Sequence, residues 1–268
     1  MRDRFRCYFG VLRARLKSVA HFRANVIAWT LYSPIQLAIV FLLWRIIYSG
    51  TDRVGGFAFR DMILYYLVVH FLRRVVEPVQ TVNYEVWNDI NQGTLDVYLT
   101  RPISFGPFVF FRSLGAPLVE IVIGLPFFVL FSFALGLPFP RDPLVVAAFL
   151  VSVLAGFTIL FLIQFLIGTL TFWFERIFGI RDMIFSVFML FSGQLIPISV
   201  LPKPLAALSS WLPFEGIYYV PGTIYAHGVL GPDVTLHLAR QFVWIGVLTL
   251  CASMAWSRGI TRYASQGG

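Results

Sequence analysis

Apolar runs of membrane-spanning length recur along this chain, at residues 26–48, 60–77, 105–135, 144–174, 183–200 and 234–256. A helix needs about 20 such residues to cross the hydrocarbon core. Only helices or closed barrels cross, because lipid offers the backbone no hydrogen-bond partners. The runs are too long for strands, so the expected fold is an all-α integral membrane protein with six transmembrane helices. Charged residues make up 13% of the chain and hydrophobic ones 58%, against about 25% charged in soluble domains. Residues 1–268 therefore read as one polytopic domain. The second run is the shortest in clean apolar length, residues 62–72, so Arg73 and Arg74 are expected to snorkel to the inner interface. The third is longer than a crossing requires and holds Arg112, Pro117, Glu120 and Pro126, which suggests a tilted helix kinked at proline.

The segments between the runs differ in kind. Residues 1–23 place Phe5, Phe9, Leu12, Leu16 and Val19 on one helical face and Arg6, Arg13, Arg15 and Lys17 on the other. That pattern predicts an amphipathic helix in the headgroup plane of an anionic leaflet, with a solvated basic arm as the plainer alternative. Residues 49–59 contain Gly55 and Gly56 and read as a short loop. Residues 175–182 form a charged turn. Residues 201–233 carry several prolines with Trp211, Tyr218, Tyr219 and Tyr225. They are too broken to cross and too aromatic for an ordinary loop, so short re-entrant helices in the outer leaflet are expected before the sixth span.

Residues 83–102, NYEVWNDINQGTLDVYLTRP, are a polar island among these runs. Asn83 is a candidate N-cap and Gly93 a candidate helix stop. Tyr84, Trp87 and Ile90 make an apolar face, expected toward the membrane. Glu85, Asn88, Asp89 and Gln92 make a polar face, expected toward water. With both termini inside, Arg45, Arg53, Arg60, Arg141, Lys203 and Arg240 lie outside, and the other fifteen of the 21 basic residues lie inside with this island. The positive-inside rule favours that orientation. It also accounts for the net charge of +8 without nucleic acid.

Covalent chemistry has no visible seat. Neither Lys17 nor Lys203 follows a glycine, which excludes a phosphate-binding loop. His21, His70, His227 and His237 lack metal-ligand spacing, and Cys7 and Cys251 form no pattern. Basic residues lead directly into a full-length first run, so a cleavable leader is not expected. Glu120 is the one acid well inside an apolar run. Such a group is either a pathway residue for substrate or protons, or the partner of a neighbouring Arg or of Gln164.

The order of elements resembles the permease subunits of type-2 ABC exporters. INQGTLDVYLTRPIS (residues 90–104) is similar to the inner-loop signature of a bacterial, viologen-exporter-like branch. SGQLIPISVLPKPL followed by LPF is similar to its fifth-span exit, and WSRGITRYASQGG to its C-terminal ending. Gln92-Gly93-Thr94 departs from the charged Arg-Gly-Glu or Arg-Gly-Asp of many relatives.

The resemblance implies an export permease of the bacterial cytoplasmic membrane with both termini inside. It would have no cofactor of its own, with ATP and Mg held by separate ABC ATPase subunits. A second permease copy or a paralogous sister chain would complete it among membrane lipids, with substrate passing along the first, second and fifth spans. The inner turn would be a coupling helix, with Tyr84, Glu85, Trp87, Asn88, Asp89, Gln92, Leu95, Asp96 and Arg101 as candidate ATPase-coupling residues. The 28 phenylalanines suit lipophilic or aromatic-cationic cargo, and equally a surface that merely faces lipid. An ATP-independent secondary transporter would instead show paired broken helices in two internal repeats, and a membrane enzyme or scaffold would follow another logic again.

Overall fold

The computed structural model describes residues 23–100, 104–228 and 231–263. The amphipathic segment with Arg6, Arg13, Arg15 and Lys17, and likewise Arg101, lie outside the described residues. Helices dominate: α1 (Arg23–Ile47), α2 (Phe59–Val76), α3 (Val82–Asn91), α4 (Leu95–Leu99), α5 (Phe105–Ser113), α6 (Gly115–Ala134), α7 (Pro143–Thr169), α8 (Phe178–Phe191), α9 (Lys203–Ser209), α10 (Glu215–His227) and α11 (Pro232–Ile260). Among the described residues, three helical stretches are long and apolar enough to cross a membrane: Phe105–Ala134 (α5 and α6 together), Pro143–Phe172 and Asp233–Ile260. The apolar part of α1, Tyr32–Ile47, accompanies them.

Helix α2, the shortest clean run in the sequence, is largely enclosed by protein. Eleven of its residues, from Met62 to Val76, are buried against α1, α6 and α10. Its short apolar stretch is explained by packing against protein. Arg74 does not snorkel: its side chain is 9% exposed and its Nε and Nη2 donate to Glu120 Oε2 of α6 at 3.2 and 3.0 Å. The Gly55-Gly56 loop is a two-strand hairpin, β1 (Arg53–Val54) and β2 (Phe57–Ala58), with both glycines at positive φ, as a tight hairpin turn requires.

The third apolar run is two helices, α5 and α6, separated at Leu114. Pro117 has no N–H to offer the carbonyl of Ser113, and the break falls there. The fifth run also differs from the sequence expectation. Its helix stops at Phe191, and Ser192 to Pro197 run without regular structure into a 3-10 turn at Ile198–Val200. Gly193 has φ +81°. The carbonyls freed by this break are taken up by protein: Tyr65 Oη donates to Gly193 O and Tyr66 Oη to Leu195 O, both at 2.6 Å. The amide of Tyr219 donates to Ser192 O at 3.0 Å. Non-helical backbone is tolerated in an apolar setting where such partners exist.

Residues 201–233 form the short helices α9 and α10, the latter buried over most of its length. Glycines allow the close approach. A Cβ on Gly156 of α7 would lie 2.6 Å from Gly216 O and 3.0 Å from Ile217 Cα, and one on Gly222 would lie 2.7 Å from the Tyr65 ring. Small residues bring membrane helices together in this way. Gln241 of α11 completes the seam, donating to Ser152 O at 3.0 Å and Gly216 O at 2.6 Å.

Candidate functional site

The polar island folds as a helical hairpin. A 3-10 turn, Glu77–Thr81, leads from α2 into α3, and Gly93 (φ +72°) ends α3 and turns the chain into α4. Gly93 therefore stops the helix as the sequence indicates. Asn83 does not cap it. The backbone is already helical at Thr81, and Asn83 lies within α3, buried, with Nδ2 donating to Gln80 O at 3.0 Å and to Gln164 Oε1 of α7. The polar side chain bridges two helices where the sequence suggested a terminus.

The polar face of α3 is turned from the expected orientation toward water. Val82, Asn83, Val86, Asp89 and Ile90 face the protein, while Tyr84 is 49% exposed. The acids turn inward because a cation waits there. Arg112 of α5 places Nε 2.9 Å from Glu85 Oε2 and Nη1 3.0 Å from Asp89 Oδ2. Glu85 and Asp89 are four residues apart, so one helical face presents both carboxylates to a single guanidinium. Thr94 adds a hydroxyl donated to Asp89 Oδ1 at 3.1 Å, fastening the turn to the same carboxylate.

Three further contacts seat the hairpin. Trp87 Nε1 donates to Glu175 O at 3.2 Å, and its ring packs on Phe178 at 5.4 Å, so α3 is joined to the charged turn before α8. Val86 fits over Gly168 of α7, where an added Cβ would come within 2.7 Å. Tyr98 of α4 packs on Phe108 and Phe105 of α5 at 4.6 and 5.7 Å. Leu95 is fully buried beneath them. Asp96 lies beside Tyr263, whose phenol is held above its ordinary value by burial and by that carboxylate. Tyr84, Gln92, Val97 and Leu99 are left exposed, and Asn88 is half-buried.

Glu120 has Arg74 as its partner, and Gln164 bonds Asn83 instead. Gln194 is buried. It lines a groove of about 340 Å³ between α1, α2 and the segment after α8, together with Gln36, His70 and Arg73. The clamp on Arg112 has a sequence signal in hindsight. A lone arginine in a long apolar run demands acids, and the nearest pair with helical spacing is Glu85 and Asp89.

Residues 35–267 match the model of the ABC-2 family transporter proteins. No curated protein matches the chain. The match spans most of the chain, from within α1 through α11, and includes the whole hairpin. The chain therefore belongs to the ABC-2 transporter family, as an all-α, multi-pass membrane permease of an ABC transporter, a component that associates with separate ABC ATPase subunits.

Proposed function

We propose that this chain is the transmembrane subunit of an ATP-driven exporter in a bacterial cytoplasmic membrane. It works as a pair with a second copy or a sister permease, spans the bilayer six times and keeps both termini inside. ATP and Mg belong to the partner subunits, and the cargo is lipophilic or amphiphilic. The viologen-exporter-like branch, suggested by the inner-loop and C-terminal motifs, fits this assignment. The hairpin Val82–Leu99 receives the movement of the ATPase and passes it into the bundle.

The observation that carries the proposal is the fastening of that hairpin. Ion pairs join it to α5 through Arg112, a side-chain amide pair joins it to α7, and Trp87 joins it to the turn before α8. A lever needs such rigid attachment on one side and an open surface on the other. Tyr84, Gln92, Val97 and Leu99 offer the open side. Leu95 and Asp89 face inward and act from behind, holding the lever. Arg74 and the half-buried Glu120 form a pair that settles α6 against α2, which suits a structural role for Glu120 better than one in the pathway.

The test is co-purification of the full-length tagged chain from its native membranes in mild detergent. The proposal expects an ATP-hydrolysing subunit to accompany it, and Tyr84→Ala with Val97→Asp to release that subunit while the permease stays monodisperse. A chain that never carries an ATPase, or one whose hold on it ignores these positions, contradicts the proposal.

A further inference from the structure

We propose that the groove between α1, α2 and the segment after α8 binds an anionic amphiphile, an acidic group carried on an apolar body. The inference rests on the export reading for its biological setting and on the groove's own chemistry for its content. The groove of about 340 Å³ has a polar side made by Gln36, His70, Arg73 and Gln194, and an apolar side that includes Val69 and Leu195. No Asp or Glu is among its lining residues.

Arg73 is the decisive residue. Other arginines of this bundle have counter-charges: Arg74 has Glu120, Arg112 has Glu85 and Asp89, and Arg240 has Glu215. Arg73 makes no ion pair among the described residues. Glu77, one turn further along, is exposed and makes none with it. A guanidinium stays charged, and an uncompensated charge facing an apolar setting is costly. An anion entering the groove removes that cost and gains a forked, charge-assisted contact.

Two further groups await a polar partner in the same place. Gln194 is more than nine-tenths buried with its acceptor Oε1 unbonded, a partner that a water or a protonated head supplies and a deprotonated one does not, and the buried Nε2 of His70 is unbonded and able to donate to an anion. Such atoms are rare unless something completes them. A carboxylate, sulfonate or phosphate head at Arg73 accepts hydrogen bonds from the guanidinium and from the amides of Gln36 and Gln194. Its tail lies along Val69 and Leu195. The size suits one headgroup and the first part of a tail, within the usual range of small-molecule sites. A cationic cargo of the same shape meets repulsion from Arg73.

The experiment uses the full-length chain in nanodiscs of phosphatidylcholine. It compares a diazirine-bearing dodecanoic acid with its methyl ester, and the labelled residues are located by mass spectrometry. The acid is expected to label the α1–α2 groove about tenfold more strongly than the ester, the effect of one charge-assisted contact. Arg73→Gln should abolish that preference and Arg73→Lys should keep part of it. Gln36→Leu, a milder change, should weaken labelling by the acid with little effect on the ester. Discs containing phosphatidylglycerol separate the two sources of such a head. Displacement of the acid assigns the groove to a lipid headgroup, and persistence assigns it to a free amphiphile; both support an anionic occupant. Equal labelling by acid and ester, labelling indifferent to Arg73→Gln, or no labelling because a second copy fills the groove would overturn it. The assay needs no ATPase, so its failure and the failure of the export proposal are separable.

Discussion

Replacing Arg112 with methionine removes the one cation between two carboxylates while keeping the apolar stem. Glu85 and Asp89 then face each other with their counter-charge gone. Breaking a buried ion pair by deleting one partner costs about 3–5 kcal/mol. Here the Arg112, Glu85 and Asp89 side chains keep 16%, 24% and 11% exposure. Water thus relieves part of that cost, and about 2–3 kcal/mol is expected. For a chain of this size the loss corresponds to a midpoint lowered by about 5–10 °C, read by heating the detergent-solubilised chain and following the folded fraction by size exclusion. Neutralising the acids as well, in the triple variant Arg112→Met, Glu85→Gln, Asp89→Asn, should recover at least half of the loss. The two carboxylates are then no longer charged and unpaired, so the effects are coupled and not additive. An unchanged midpoint for Arg112→Met, or a triple variant worse than the single, would refute the idea that this clamp fixes the hairpin to α5.

Glu120→Gln strips Arg74 of its carboxylate and should destabilise the chain by about 2–4 kcal/mol, while the pH profile of transport stays as in the wild type; a shifted profile would make Glu120 a pathway residue. Gly156→Val sets a side chain against the backbone of Gly216 and Ile217, so α7 and α10 must part, at a cost of about 1–3 kcal/mol or more. That loss should appear as poor recovery of monodisperse protein. Gln241→Leu leaves the carbonyls of Ser152 and Gly216 without their side-chain donor. It should lower stability by about 1–3 kcal/mol, measured by the same thermal assay.

Much of the hairpin was legible because its signals are local. Gly93 is a backbone device, and a polar stretch between apolar runs stands out in any reading. The orientation of α3 was not legible. Helical spacing shows that Glu85 and Asp89 share a face, yet which way that face points depends on Arg112, which arrives from another helix. Asn83 misled for a related reason. Capping propensity is a local preference, and here the pairing with Gln164 overrides it. The end of α8 at Phe191 escaped because SGQLIPIS is apolar enough to continue a span by hydropathy. What permits the break is a pair of tyrosine hydroxyls on α2, far away in sequence. Helix α2 itself looked marginal because a hydropathy rule scores lipid contact, and this helix is surrounded by protein.

The most direct measurement of the central claim places a photo-crosslinking amino acid at Tyr84 and, separately, at Val97, with Leu144 at the start of α7 as a control. All three positions are exposed, at 49%, 50% and 67%. In native membranes, an adduct between the permease and an ATP-hydrolysing subunit is predicted from Tyr84 and Val97 and none from Leu144. Adducts absent from both hairpin positions in a complex that still hydrolyses ATP and exports its cargo would contradict the account, because the movement would then enter the bundle elsewhere.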